Sequence, residues 1–530
     1  MGGFTVRIGV DVGGTNTDAV IMDGERVLTT HKTPTTPRLD EGIAAAIGAV
    51  LAGSGIDAAD IDQVMIGTTH FTNAFVERRG LLPVGIVRIA LPSSRGVLPL
   101  SDWPQDIAKA VGGQHHLIRG GYRFDGRLTD ELDEDAVAKA ARAVRDAGLR
   151  TMAITGLFSP VNAEMELRAR EIALNEAPDL AVTLSSRIGR LGILERENAA
   201  VMNASLAALS REVVGAFGSA LKRLGISAPF FISQNDGTLM SAATVERYPV
   251  LTFASGPTNS MRGAAYLSGL KDALIVDVGG TTTDIGMLVH GFPRESSLTV
   301  RIGGVRTNFR MPDVLALGLG GGSLVKGTAP DLRIGPESLG YRLTQQALAF
   351  GGQTLCATDL ALAGGYASVG DRSRVASLPA STVKAGVERI HETVANGIDR
   401  MKTNAEPVPL VLVGGGSVLI QDDIPGTSRT IIPDHADVAN AIGASIAQVS
   451  GETDRVFAYD ATGREAALET AIGEARAQAV ESGADADSLE LLDVEETPLA
   501  YMPGGAVRIR VKVAGDLAGA VRRTSLRCGQ

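Results

Sequence analysis

Short apolar runs alternate along this chain with stretches of helical spacing. "VRIGVDV" from Val6, "QVMIGTT" from Gln63, "LPVGIVRI" from Leu82 and "TMAITGLFS" from Thr151 read as strands. Between them, residues 39–52 form an Ala-rich helical stretch, and 70–79 a second one stopped by Gly80. "EDAVAKAARAVRDAGL" places Val137, Ala140, Ala141 and Val144 on one face of a helix closed by Gly148. This alternation predicts an α/β layer fold. Residues 91–130 are irregular and turn-rich. A long helix is expected over 195–225, and "PFFISQNDGTLMS" reads as a strand entering a polar turn. "LTFASGPTNSMRGAAYLSGL" reads as strand, Gly-Pro turn and helix. A helix over 381–402 precedes the buried strand of "PLVLVGGGSVLI"; "DHADVANAIGASIAQVSG" is expected to be helical. The last residues hold a helix near 464–482 and end in the alternating "AVRIRVKVAGDL".

One pattern occurs twice. "DVGGTNTDAVIMDG" begins at Asp11 and "DVGGTTTDIGMLVHG" at Asp277. In a dinucleotide fold the glycines open a helix. Here alternating apolar residues follow, so each unit is a β-hairpin with Gly-Gly at its turn. Adjacent glycines permit positive φ and let bare N–H groups approach an anion. Gly13, Gly14, Thr15 and Thr17 would form one phosphate loop, and Gly279, Gly280, Thr281 and Thr282 the other. Asp11 and Asp277 stand at strand ends, where a carboxylate holds Mg²⁺ through water; Asp284 is a further metal candidate. A single such hairpin reads equally well as a structural turn. Two copies sharing D-V-G-G-T-x-T-D point to phosphate, although Asp18 and Asp284 also suit simply tying their hairpins.

Composition narrows the classes. The 530 residues are 44% hydrophobic and only 4% aromatic, with 64 Gly and a formal net charge of −10. This is an ordinary globular composition, and its charge argues against nucleic acid or an acidic membrane surface as partner. No membrane span and no signal peptide are read from the sequence. Two cysteines cannot build a disulfide framework and suit a reduced, cytoplasmic protein. His115 and His116 are neighbours in a strand, so their side chains diverge and share no metal. No C-x-x-C, H-E-x-x-H or G-x-S-x-G motif is present.

The twin hairpins resemble the two phosphate elements of the actin/hexokinase/Hsp70 class, whose two similar α/β halves hold ATP in the cleft between them. "VLVGGGSV", with Gly414, Gly415 and Gly416, resembles the adenosine-side element of that class. "IGTTHFTNAFVERRG", "FASGPTNSMRGA", "LGLGGGS", "LRIGPESLG" and "ATDLALAGG" occur in the order found in the hydantoinase/oxoprolinase A-subunit family, over roughly residues 5–450. The C-terminal "TPLAYMPGGAVRIRVKVAGDL" resembles the ending of a shorter subgroup. The resemblance implies a duplicated actin-like ATPase fold, with halves at 1–185 and 186–450 and a small C-terminal α+β segment at 451–530.

It also implies chemistry. Members couple ATP cleavage to opening of cyclic amides such as hydantoins or 5-oxoproline, and related subunits serve ketone carboxylases. Phosphorylating the carbonyl oxygen turns a resonance-stabilised amide into an electrophile that water attacks. The implied cofactors are ATP and Mg²⁺. The implied partners are a small cyclic amide or ketone, a separate B-type subunit (the chain is shorter than the long A subunits) and a second copy in a homodimer. Gly320, Gly321 and Gly322 with Ser323 would add a backbone cradle. Thr68, Thr69 and Asn73 would line the cleft, with Arg78 a weaker charge candidate. His70 is either a base beside the cleft or a packing residue; longer members carry an apolar residue there. Competing readings are a carboxylase subunit, a reactivase-like ATPase acting on a partner protein, and a small-molecule kinase.

Overall fold

Strand alternation decides which face of the first sheet meets which helices. The computed structural model describes residues 5–14, 16–36, 38–296, 299–329, 331–420, 424–500 and 502–518. β1 (Val6–Val12), β2 (Asn16–Asp23) and β3 (Arg26–Pro34) form an antiparallel meander. α1 (Leu39–Ser54) then carries the chain to β4 (Gln63–Thr68), parallel to β1. Ile8, Val10, Val12, Val64 and Ile66 share one core with Ile43, Ile47 and Val50 of α1. Gly9 and Asp11 therefore point to the opposite face. α2 (His70–Val76) stops before residue 79 because Arg78 already turns left-handed, at φ 57°.

The chain next leaves this sheet to build a separate one from β5 (Val84–Leu91), β6 (Gly112–Arg119), β7 (Thr151–Gly156) and β8 (Ala181–Leu184), in the order β8-β7-β5-β6. α3 (Glu134–Asp146) buries the four apolar residues that its spacing selects, and α4 (Glu164–Glu176) packs beside it. The single helix expected over 195–225 is two, α5 (Ile193–Ser205) and α6 (Ala207–Arg223), broken at Leu206. Arg88 of β5 and Glu197 of α5 form a fully buried ion pair, Nε to Oε2 at 2.6 Å, which ties the insert to the rest. β9 (Phe230–Ser233) returns to lie parallel to β4, and β10 (Thr238–Ser241) pairs antiparallel with β9.

α7 (Ser255–Ser268) leads into a second half: β11 (Ala273–Val278), β12 (Thr283–Val289), β13 (Val314–Leu317), α8 (Ala380–Met401), β14 (Val408–Val413) and β15 (Thr427–Ile431). Its order β13-β12-β11-β14-β15 repeats β3-β2-β1-β4-β9, three antiparallel strands followed by two parallel ones. The Ser-Gly-Pro expected as a turn is the first turn of α7, where a proline sacrifices no helical hydrogen bond.

α9 (Ala439–Ser445) crosses back to the first half, followed by β16 (Gln448–Ala458), α10 (Arg464–Glu481), β17 (Glu490–Pro498) and β18 (Ala506–Gly515). Residues 448–451, expected to end a helix, instead open β16, which pairs with β18. Ala467, Ala471, Ala475 and Ala479 form a buried stripe on α10, and a Cβ at Gly451 of β16 would lie 2.0 Å from Ala475 O. Small residues on both sides let helix and strand touch. The described strands of the first sheet run β17-β18-β16-β10-β9-β4-β1-β2-β3. The sheets thus divide elsewhere than at residues 185 and 450. β9 and β10 complete the first sheet from beyond the insert, and the C-terminal strands extend it instead of forming a unit apart.

Candidate functional site

Both D-V-G-G-T hairpins close with the same backbone bond. Gly13 N–H donates to Asn16 O at 3.0 Å, and Gly279 N–H to Thr282 O at 2.9 Å. In register, Asp11 faces Asp18 and Asp277 faces Asp284. The glycines do not serve by positive φ: Gly13, Gly14 and Gly279 all lie outside the left-handed region. They provide room instead, since a Cβ on Gly13 or Gly279 would sit 3.1 or 3.2 Å from the turn's own carbonyl oxygen.

Each turn is also held from behind. Thr35 Oγ1 donates to Gly13 O at 2.8 Å; Gly321 N–H and Gly322 N–H donate to Gly279 O and Gly280 O at 3.0 and 2.7 Å. Gly320 N–H is taken by Ser323 Oγ at 2.8 Å. The amides of Gly320–Gly322 are therefore spent, and this segment braces the second turn where a phosphate cradle was expected. Thr17 is likewise redirected. It is buried, with its hydroxyl 3.2 Å from that of Thr35, and its counterpart Thr283 donates to Leu319 O at 2.7 Å. Thr281 is half-buried and Thr282 exposed; Thr15 lies outside the described residues.

A missing side chain stands beside each leading aspartate. A Cβ on Gly67 of β4 would fall 2.2 Å from Asp11 Oδ1, and one on Gly414, just past β14, 2.2 Å from Asp277 Oδ1. Of the next two glycines, Gly416 donates to Val278 O at 2.7 Å, whereas nothing lies within 4 Å of a Cβ position on Gly415.

Two helices deliver partners that the sequence did not single out. A Cβ on Gly263 of α7 would meet Ala439 O at 1.8 Å, one on Gly443 of α9 would meet Asn259 O at 1.8 Å, and one on Gly9 would meet Ala441 O at 2.1 Å. Backbone therefore stacks on backbone through α7, α9 and β1. That closeness brings Asn259 Nδ2 to Asp11 Oδ1 at 3.1 Å and Asn440 Nδ2 to Asp11 Oδ2 at 3.0 Å. Asn440 also donates to Asp18 Oδ2 at 2.8 Å, and Lys32 Nζ lies 2.8 Å from Asp18 Oδ1. Ser260, the residue after Asn259, hydrogen-bonds Asp277. Adjacent residues of one helix thus hold the twin aspartates of two different sheets. Asn259 and Ser260 lie inside the "FASGPTNSMRGA" segment, but nothing in its spacing marks them; Lys32 is visible only through strand register.

The beginning of α7 also presses on the Thr68–Asn73 segment. Ser255 Oγ donates to Thr68 O at 3.2 Å, and a Cβ on Gly256 would lie 3.2 Å from Thr69 Cγ2. Thr69 Oγ1 accepts from Asn73 Nδ2 at 3.3 Å, and that nitrogen is 3.8 Å from a Cβ position on Gly14. Thr69 and Asn73 therefore flank the first turn. Thr68 is buried, and its hydroxyl accepts from His70 N–H at 3.1 Å. His70 is exposed; desolvation and then Arg79 lower its pKa, and the further charges acting on it are Glu212 and Glu77, not the cleft aspartates. Arg78 is committed to Asp106 at 2.7 Å.

Electrostatics separate the aspartates from ordinary buried ion pairs. Burial drives Asp11 up to about 6, with Asp18 and Asp277 adding repulsion that the two Asn hydrogen bonds only partly oppose. Burial, followed by Asp277, raises Asp284 to about 7. Asp277 is raised by burial against its Ser260 bond and the pull of Lys32. Asp236 is as deeply placed, yet Lys512 at 2.9 Å, with Thr238 and Arg310, outweighs burial and brings it down to about 2. Burial alone does not set these values; the shortage of cations around Asp11, Asp277 and Asp284 does. Such a carboxylate set suits a divalent cation. Among the described residues, however, no three His, Cys, Asp or Glu side chains cluster tightly enough to hold a metal by themselves. A metal site built directly from Asp11, Asp277 and Asp284 is therefore absent, while Mg²⁺ held by water and phosphate oxygens fits the donors present.

Comparison with known proteins agrees with this geometry. The model of the hydantoinase/oxoprolinase N-terminal region matches residues 7–177, and that of hydantoinase/oxoprolinase matches residues 196–371. The chain is 30% identical over 396 residues to the acetophenone carboxylase gamma subunit of Aromatoleum aromaticum, covering 68% of this chain and 53% of that protein. It is 27% identical to the caprolactamase subunit alpha of Pseudomonas jessenii, covering 69% and 55%. The chain thus spans about half the length of these relatives. The crystal structure of the ATP-dependent caprolactamase from Pseudomonas jessenii superposes with a TM-score of 0.76 at 21% identity, covering 97% of this chain and 88% of that one. The fold is the duplicated actin-like ATPase fold, and among the described residues no helix is long and apolar enough to cross a membrane. With both family models matched in order over residues 7–177 and 196–371, this chain belongs to the hydantoinase/oxoprolinase family.

Proposed function

We propose that this chain is the ATP-cleaving subunit of an amidohydrolase that activates a cyclic amide carbonyl, of hydantoin, 5-oxoproline or lactam type, for ring opening. The observation that carries this reading is the set of buried and half-buried carboxylates on the two Asp-Gly-Gly hairpins, repelling one another with Lys32 as their nearby cation. When bound, MgATP supplies the phosphoryl group that makes the carbonyl carbon open to attack. Asp11 and Asp277 would hold the hydrated Mg²⁺, Gly14, Gly280, Thr281 and Thr282 would receive phosphate oxygens, and the open backbone at Gly415 would take the nucleoside side. Thr69 and Asn73 flank the first turn and would orient the acceptor carbonyl. Asp284, near pKa 7, would hold or release a proton at neutral pH. Positioning and charge neutralisation are the main demands of phosphoryl transfer.

A second reading is supported by the 30% identity to the acetophenone carboxylase gamma subunit: the same site would activate a ketone for carboxylation. Both relatives are named as subunits, so a separate partner chain is part of the proposal; a homodimer is the simplest assembly of the chain itself.

The test is phosphate release by the purified chain with Mg²⁺ against hydantoins, 5-oxoproline, caprolactam and simple ketones, with and without the candidate partner. A cyclic amide that stimulates release and is consumed without gaining phosphate supports the amidohydrolase. Stimulation by a ketone with bicarbonate moves the assignment to the carboxylase, stimulation by the partner alone moves it to a reactivase, and a phosphorylated product moves it to a kinase. Asp277→Ala should lower ATP turnover by about a thousandfold with little change in melting temperature; undiminished turnover would sink the site.

A further inference from the structure

A second, larger feature lies away from the hairpins. A cavity of about 850 Å³ opens where β8, the β9–β10 turn, β16 and the end of α10 converge. This is within the range of small-molecule sites. Seven arginines and five carboxylates line it, in a chain whose net charge is −10. Four lining residues carry buried polar atoms with no hydrogen-bond partner among the described residues: Ser186 Oγ, Arg190 Nε, Asn235 Oδ1 and Glu452 Oε2. Asn235 is 1% exposed and rigidly held. Its Nδ2 donates to Arg310 O at 2.6 Å and its N–H to Leu251 O at 2.8 Å, which leaves Oδ1 as an unused acceptor in the wall. Arg187 and Arg211, exposed on the lining, have no ion-pair partner among the described residues.

An orphaned buried acceptor costs free energy unless a ligand satisfies it. The wall offers an arginine N–H and a hydroxyl as donors, and an amide oxygen and a carboxylate oxygen as acceptors. A carboxylate alone would leave Asn235 unsatisfied, and an amine alone would face an excess of arginines. We propose that the cavity binds a small zwitterion of amino-acid or short-peptide type, its carboxylate received by Arg190 and Ser186 and its N–H donor by Asn235 Oδ1. Ring opening of a lactam or of 5-oxoproline yields such a zwitterion, so a role in holding product rests on the proposed function; the binding site itself does not. The Asn235 carbonyl accepts from Thr258 Oγ1 of α7 at 3.1 Å, and the next two residues of that helix hold Asp11 and Asp277.

The test is calorimetric titration of the full chain, without ATP, with 6-aminohexanoate, L-glutamate and triglycine, using acetate and butylamine as single-charge controls. At least one zwitterion should bind saturably and about tenfold tighter than either control. Arg190→Gln should weaken that binding by about tenfold or more. Because Arg190 also pairs with Glu295, Arg211→Glu at an exposed position provides a variant that keeps the fold, checked by its melting curve, and should weaken binding several-fold. No saturable zwitterion binding below about 10 mM overturns the site, as does binding unchanged in a folded Arg190→Gln or in Arg211→Glu. A chain that binds a zwitterion but shows no cyclic-amide-stimulated phosphate release retains the site and loses the reaction.

Discussion

The two hairpins share seven residues of an eight-position pattern and the same closing hydrogen bond, yet they hold their second aspartates differently. Opposite Asp18, across β2 and β3, stands Lys32; opposite Asp284, across β12 and β13, stands the exposed Ala316. Lys32 gives Asp18 an ion pair at 2.8 Å, whereas Asp284 is left with burial and the repulsion of Asp277 and rises to about 7. One cross-strand neighbour therefore gives a duplicated residue an ion pair in one half and leaves it without one in the other. Duplication supplied the scaffold, and the third strand of each sheet set the chemistry.

The largest effect should come from features the halves share. Gly67→Ala removes no chemical group, but its Cβ would invade Asp11 and the amide of Asn259 at 2.2 and 2.3 Å. ATP turnover should fall about a hundredfold through displacement of Asp11, read by steady-state phosphate release. Gly414→Ala should cost more stability, because φ 85° adds strain to a like clash with Asp277. Equal melting temperatures for the two variants would show that the clash alone decides.

The difference between the halves can be exchanged. Lys32→Met should strand the buried Asp18 and cost about 2 kcal/mol near pH 8, discounted because the ammonium is partly exposed. Ala316→Lys should give Asp284 the partner it lacks and lower its proton affinity. Chemical denaturation against pH measures both, and an Ala316→Lys protein with an unchanged pH profile would break the comparison.

The smallest effect is the pH slope of the wild-type chain without nucleotide or metal. Asp284 and Asp11 hold protons to about 7 and about 6 when folded, well above an unfolded carboxylate near ~4. Between these values the native state binds more protons than the unfolded one. Their contribution to stability is thus full below about pH 4 and is lost as pH rises toward about 7. Asp284→Asn should flatten the upper part of that slope, and saturating MgATP should flatten all of it. Melting curves from about pH 5 to about pH 8 check this; stability rising across that window in wild type but not in Asp284→Asn contradicts the assignment.

The sequence by itself determined the local units. Apolar alternation fixed β1, β4, β5 and β7, helical spacing fixed the buried face of α3, and the repeated octad fixed two equivalent hairpins, because each depends on neighbours a few residues away. The family was also legible, since its segments are contiguous. What only tertiary structure decided lies at long separation. β9 joins the first sheet from beyond an insert, β16–β18 extend that sheet, Asn440 reaches Asp11 across 429 positions, and Lys32 rather than Ala316 meets an aspartate. Adjacent turn glycines suggest conformational freedom, yet in the fold Gly13 and Gly279 supply room; Gly320–Gly322 suggests a cradle, yet its amides brace the second turn. Spacing along a chain states which way a side chain faces within its own element. It does not state which element arrives opposite, and for a buried carboxylate that neighbour decides between ion pair, proton and metal.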